Sequence, residues 1–328
     1  MINVYFDSGT TNSRIFVLEG GNVLYHEKAG TGCRDAALAG DSSILTRALW
    51  RLYQNALDTL HIKDEQVQGI YLSGMATSSS GLQEVEHLSL PAGLRELREN
   101  IVSYRENSFF HRELLLIPGL KTCARGVTVS PEEAFLVNNV RGEETEILGI
   151  LCETGLTDCA VLLPGTHTQA AMVENGRITD LLSTVTGELY GAILQDTIIG
   201  SSIEEGPLST EWVKKGVQAL RRFGFNRALY ITRSLELFSC TTGGERKSFL
   251  EGVVNGGAVA EALSVIGRHP HIRDIIIYGS QEQYAVLRAA AEVLPENKGV
   301  IFHHVEVNPG FPMSVRGIMA LCKEISGT

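Results

Sequence analysis

The sequence predicts an α/β protein built from two similar lobes, on three observations. Apolar strand-like runs alternate with helix-patterned runs from end to end. One strand–turn–strand signature occurs twice, half a chain length apart. With 328 residues, 44% of them hydrophobic and 20% charged, the chain can bury a large core, and one to three domains are expected.

The elements follow in chain order. Three short strands, INVYF, RIFVL and NVLYHE, fill residues 2–26, joined by a polar hairpin and by Glu19-Gly20-Gly21-Asn22. Residues 44–60 space their apolar side chains as a helix does. IYLSGM (70–75) is a strand entering a serine-rich loop from Thr77 to Gly81. ELLLIPG (113–119) is a strand stopped by Pro118-Gly119. Residues 131–152 carry a helical pattern, acidic near its start. CAVLLPGTHTQAAMVENGRI (159–178) is again strand, turn, strand, turn. Helices are predicted over 181–200, 210–222 and 248–266. DIIIYGS (274–280) is a buried strand, 283–294 a helix, VIFHHVEV (300–307) the last strand and 312–325 the last helix.

Composition excludes several classes. A net charge of −10 argues against a nucleic-acid backbone as partner. No apolar run reaches the roughly 18 residues of a membrane span, so no membrane partner is expected. The N-terminus enters a strand directly, without a basic stretch followed by an apolar one, which argues against a secretory signal. The six cysteines form no Cys-x-x-Cys pair. Reduced thiols in a cytoplasmic protein are the expectation.

The repeated hairpin carries the chemistry. Between two buried strands, DSGTTNSR (7–14) sets Asp7 at the head, Arg14 at the tail and small polar groups between. A plain hairpin needs only a glycine or Asn-Gly. Gly9 allows close backbone approach, Thr10, Thr11 and Asn12 offer hydrogen bonds to a phosphate, and Asp7 is placed to hold a metal ion. Laying Gly9-Thr10 over Gly165-Thr166 aligns the second copy, with His167 following. Two such hairpins facing each other suit a nucleoside triphosphate, with Mg²⁺ at Asp7 bridging the β- and γ-oxygens. A phosphoryl acceptor also needs a base, and Glu143-Glu144 opens a helix. Acids are favoured at a helix start on electrostatic grounds alone, and neighbours on a helix point about 100° apart, so at most one of the two serves. GGERKS (243–248) resembles the end of a P-loop, but Arg246 stands where that motif needs its second glycine. His269-Pro270-His271 and His303-His304 lack metal-ligand spacing.

Together these stretches resemble the 2-dehydro-3-deoxygalactonokinases of the actin/hexokinase-type ATPase superfamily. DSGTTNSR is similar to the family's first phosphate motif. SGMATSSSG (73–81), with LSLPA (88–92), is similar to its substrate-side loop. IPGL (117–120), RGEETEILG (141–149), LPGTHT (163–168), TVTGELYGAIL (184–194) and YGS (278–280) follow in the family's order, and the Gly310–Leu321 helix stands where its second interlobe connection is expected. The resemblance implies two ribonuclease-H-like lobes, 1–152 and 153–328, with the nucleotide cleft between them. It implies ATP and Mg²⁺ as cofactors and transfer to the 6-hydroxyl of 2-dehydro-3-deoxy-D-galactonate, a step of galactonate catabolism. Gly187 is then expected at the nucleotide, and Gly279 and Ser280 at its adenosine. Arg34, Ser78 and Arg14 become candidates for the acceptor's carboxylate and hydroxyls, since a small anion in an acidic protein needs a local cation.

The chain departs from the family at two places. Thr168-Gln169-Ala170 stand where a lysine and a tryptophan are usual, and Leu82 and Glu86-His87 stand where Gly-Trp and Pro-Tyr are usual. The missing groups are expected to border the sugar or the closed cleft. A kinase of another sugar acid, a weakened sugar-acid and ATP sensor, and an ATPase activator with a protein partner therefore stay open, as does a homodimer.

Overall fold

The computed structural model describes residues 1–124, 126–297 and 299–323. It divides into two compact units. One holds Met1–Thr157, Gly176–Leu181 and the chain from Asn308 onward; the other holds Asp158–Asn175 and Leu182–Val307.

The first unit is built on a six-stranded sheet. Its strands are β1 (Ile2–Ser8), β2 (Ser13–Glu19), β3 (Asn22–Ala29) and β4 (Val67–Gly74), and, beyond the two-residue β5 (Leu88–Ser89), β6 (Val102–Glu106) and β7 (Arg112–Leu116). β8 (Leu120–Lys121) and β9 (Asn139–Val140) form a small separate sheet with β5. The main order is β3-β2-β1-β4-β7-β6. β1 pairs antiparallel with β2 and parallel with β4. Short helices α1 (Cys33–Ala39), α3 (Leu94–Glu99) and α4 (Pro131–Ala134) lie among longer ones, α2 (Ser43–Leu60) and α5 (Glu143–Thr154). Leu45, Leu49, Leu52, Tyr53 and Ala56 of α2 recur at helical spacing and bury against Val4, Phe6, Ile15 and Val17 of the sheet.

The second unit repeats the plan. β10 (Cys159–Leu163), β11 (His167–Glu174), the end of β12 (Arg177–Val185) from Leu182 onward, β13 (Asp274–Gly279) and β14 (Ile301–Glu306) belong to this unit, and the sheet order is β12-β11-β10-β13-β14. β10 pairs antiparallel with β11 and parallel with β13. The central strands are apolar throughout, as a sheet covered on both faces requires. The first strand, its antiparallel hairpin partner, the third strand and the parallel fourth thus recur in one arrangement, which is the ribonuclease-H-like sheet order. The helices are α6 (Gly187–Asp196), α7 (Thr210–Phe223), α8 (Phe225–Phe238), α9 (Gly243–Ile266) and α10 (Gln281–Glu292). By length and composition α9 could cross a membrane, but 67% of its most apolar window is buried inside the unit.

Several expectations need correction. The 131–152 pattern splits into α4, β9 and α5, because Gly142 turns the chain at φ +114° before α5 begins. The 181–200 helix is strand as far as Val185, and only Gly187–Asp196 is helical. Helix α8 went unread, since Gly224 at φ +78° breaks it from α7. The last helix, α11, spans Met313–Cys322; residues 324 and 325 lie outside the described residues. Expected within a second lobe of 153–328, α11 instead packs in the first unit, on α5. Glycines make that contact possible. A Cβ on Gly149 would lie 1.8 Å from Met313 O, and one on Gly317 would lie 2.0 Å from Thr145 O. Only helices without side chains at those positions approach so closely.

Candidate functional site

Asp7, the last residue but one of β1, pairs across the hairpin with Arg14 on β2. Arg14 Nη2 donates to Asp7 Oδ2 at 2.6 Å, with 39% and 16% of the two side chains exposed. The turn between them is closed by Gly9 N donating to Asn12 O at 2.8 Å. Thr10 and Thr11 project into solvent, and Asn12 Nδ2 donates to Thr11 Oγ1 at 2.9 Å. The start of α1 is laid against this turn. Cys33 N donates to Gly9 O at 3.1 Å and Arg34 N to Thr10 O at 2.9 Å. A Cβ on Gly32 would stand 2.4 Å from Thr10 O, so the approach demands glycine there. The Arg34 side chain is exposed at that helix start.

The start of α5 carries the acids. Glu144 is fully buried, and its Oε2 accepts from Gly142 N at 2.6 Å. Burial, then Glu143, push its carboxyl up to about 8. Glu144 therefore braces the turn, and its burial weighs against its being the base of the Glu143-Glu144 pair. Glu143 is half-buried and accepts from Arg141 N at 3.0 Å. Glu146, one helical turn on, was missed. Burial, then Asp7 and Glu143, push it up to about 8. Its place in RGEETEILG, three residues after Glu143, was the available signal.

Ser78 lies at the edge of the serine-rich loop, donating to Met75 O at 2.8 Å. Cys33 connects that loop to the hairpin, its thiol donating to Ser80 O at 2.7 Å and lying 3.6 Å from Ser78 Oγ. Asp7, Gly9, Arg14, Arg34, Ser78 and Glu143 thus belong to one unit and one end of its sheet.

The second hairpin is built alike. Glu188 N donates to Thr166 O at 2.9 Å, and a Cβ on Gly187 would lie 2.2 Å from Gly165 O. His167 Nε2 lies 3.3 Å from Glu188 Oε2, and Thr168 Oγ1 lies 2.7 Å from Thr186 Oγ1. Ser280 caps α10 by accepting from Gln283 N at 3.2 Å, while Gln283 Nε2 donates to Pro164 O at 3.3 Å. Buried Gly279 precedes that cap. A cavity of about 470 Å³ opens here, lined by Gly165, Thr168, Gly187, Lys247, Asn255 and Ser280 among others. Lys247 was missed. It belongs to the GGERKS stretch, which is no P-loop: Arg246 is buried and donates to Ser202 O at 2.8 Å. Lys247 Nζ instead reaches Glu205 Oε2 at 2.6 Å and Glu282 Oε1 at 3.7 Å.

Of the family departures, Thr168 lines the cavity. Ala170 is buried in the second unit's core beside Leu162 and Met172, and Gln169 is buried in β11. Neither lines the cavity. Leu82 packs against the first unit's core, and His87 is half-buried.

Among the described residues no group of three His, Cys, Asp or Glu side chains forms a cation cage. Mg²⁺ needs none, since it keeps several waters and takes one or two carboxylates beside phosphate oxygens. Asp7, close enough to Glu146 to help hold that carboxyl protonated, fits a cation that arrives on a nucleotide.

The chain is similar to known proteins along most of its length. A family model described as 2-keto-3-deoxy-galactonokinase matches residues 7–304. A Rhizobium meliloti (strain 1021) protein provisionally named 2-dehydro-3-deoxygalactonokinase DgoK1 is 25% identical over 321 residues, 96% of this chain and 97% of that one. The Escherichia coli (strain K12) 2-dehydro-3-deoxygalactonokinase is 23% identical over 273 residues, 82% of each. A Sinorhizobium meliloti crystal structure under the same provisional enzyme name superposes with a TM-score of 0.76 at 22% identity, over 97% of each chain, and shows the shared fold. The chain belongs to the 2-keto-3-deoxy-galactonokinase family, which makes it a kinase that moves a phosphoryl group to a sugar acid.

Proposed function

We propose that this chain transfers the γ-phosphoryl group of Mg²⁺-ATP to the 6-hydroxyl of 2-dehydro-3-deoxy-D-galactonate, in the cytoplasm. One observation carries the reading. The two units share a hairpin, and only one hairpin places a carboxylate–guanidinium pair, Asp7–Arg14, beside an acidic helix start, while the other borders a nucleotide-sized cavity.

The residues divide the work. Gly165, Thr166, His167 and Gly187 offer backbone and small polar groups to the phosphates, and the cavity by Lys247, Asn255 and Ser280 takes the nucleoside. Gly9, Thr10, Thr11 and Asn12 grip the transferred end. Asp7 would hold Mg²⁺, which would supply neutralisation of the phosphate charge. Arg34 and Ser78 hold the acceptor's carboxylate and a hydroxyl. Glu143, partly accessible and at a positive helix end, takes the hydroxyl proton. Arg14 orients Asp7 through their ion pair rather than meeting substrate directly. Burial of Gln169 and Ala170 away from the cavity supports retained turnover over a sensor role.

The test is ADP release coupled to a dehydrogenase, with Mg²⁺-ATP and a panel of 2-dehydro-3-deoxy sugar acids. Saturable turnover highest with the galactonate form is the expected result. Activity confined to another acid would reassign the substrate. ATP binding without turnover on any acid would overturn the kinase reading in favour of a sensor.

A further inference from the structure

Arg141 stands two residues before Glu143, and its guanidinium is half-buried against the serine-rich loop. Nη1 donates to Thr77 O and to Thr77 Oγ1, each at 2.6 Å. Nη2 donates to Val85 O at 2.9 Å and lies 3.1 Å from His87 Nδ1. Val85 N donates back to Thr77 O at 2.9 Å, so the loop's two ends meet on one cation. Ser78 follows directly on the clamped Thr77. Burial, then Arg141 and Lys121, push His87 down to about 4, which leaves Nδ1 a neutral acceptor at working pH. The backbone N of Arg141 donates to Glu143 Oε2 at 3.0 Å.

We propose that Arg141 is a positioning residue of the acceptor site, holding the 77–87 loop closed through its guanidinium while its backbone amide orients Glu143. This rests on the kinase reading above, in which Ser78 meets the acceptor. The planar fork matters. Its two arms reach four acceptors on opposite ends of the loop, and a lysine ammonium, a point donor on a flexible stem, cannot span them. The nucleotide cavity lies in the other unit and contains none of these residues, so the effect should fall on the sugar acid.

The experiment compares Arg141→Lys and Arg141→Ala with wild type. Both variants are expected to raise the KM for 2-dehydro-3-deoxy-D-galactonate at least tenfold and to leave the KM for ATP within twofold. Methylguanidinium added to Arg141→Ala is expected to lower the sugar-acid KM again, while methylammonium is not. Equal changes in both KM values, or normal kinetics in Arg141→Lys, would overturn the proposal. If wild type turns over no sugar acid, the kinase reading fails separately, and amide hydrogen exchange decides the clamp. Exchange at 78–86 at least tenfold faster in Arg141→Lys, unchanged at 165–190, supports it. Unchanged exchange at 78–86 overturns it.

Discussion

In the first unit Arg34 N donates to Thr10 O at 2.9 Å; in the second, Glu188 N donates to Thr166 O at the same distance. In both, a glycine opens a helix against the hairpin turn, with no room for a Cβ at Gly32 or Gly187. The backbone plan is therefore one plan used twice. The side chains on it are not. Asp7 pairs across its hairpin with Arg14, whereas the corresponding cross-strand pair in the second is Leu163 with Gln169. Arg34 sits at one helix start, and Glu188, beside His167, at the other. The difference teaches that the fold supplies a phosphate-sized turn wherever it is repeated, and that charge decides what each turn does. On the proposed reading, one copy takes the metal and the anionic acceptor, and the other holds the nucleotide largely through backbone.

The largest break in the comparison is at Asp7. Asp7→Asn keeps the shape and removes the charge that the second hairpin never had. It is expected to lower kcat by about 10³-fold while the Kd for ATP, read by calorimetry, stays within a few-fold. A full-strength kcat would erase the chemical distinction between the hairpins.

The paired glycines sharpen it. Gly187→Ala forces a Cβ onto Gly165 O, and overpacking of that kind costs about 1–3 kcal/mol. The KM for ATP should rise about tenfold or more. Gly32→Ala makes the same intrusion on Thr10 O and should fall chiefly on kcat. If both variants lose the same parameter, the two turns are not specialised as described.

The acidic helix start of the first unit should show in stability. Glu144 ionises near 4.5 when unfolded and only near 8 when folded. Between those values the folded state binds more protons, so stability falls as pH rises from about 4.5 to 8 and levels off above. Glu144→Gln keeps the acceptor for Gly142 N and removes the ionisation. Its Tm should match wild type near pH 4.5 and exceed it by about 4 °C at pH 8. Parallel melting curves across that range would show that a partner already neutralises the group.

Much of this asymmetry was legible in the sequence, because hairpins are local. Gly9-Thr10 and Gly165-Thr166 each sit between two apolar runs, and those runs bound both turns. What escaped was set by distance. Nothing local says that Lys247 reaches a cavity bordered by Gly165, or that Arg141 closes a loop beginning 64 residues earlier. Glu143 and Glu144 could not be ranked by pattern, since burial separates them only in the folded chain. The last helix was placed in the second unit because sequence order suggested it; the small residues Gly149 and Gly317 that seat it on α5 are visible only as a pair.

The smallest expected effect tests the quiet side of the comparison. Gln169 stands across from Leu163 where Arg14 stands across from Asp7, and it is 6% exposed with no hydrogen-bond partner for Oε1. A buried carbonyl oxygen left unpaired costs about 1–3 kcal/mol. If the second hairpin works through backbone alone, Gln169→Leu removes that cost without touching function. Its Tm should rise by about 2 °C, with the KM for ATP unchanged. A rise in that KM instead would mean that Oε1 finds its partner on the bound nucleotide. The second hairpin would then contribute a side chain to the chemistry, at the very position where the first one carries its arginine.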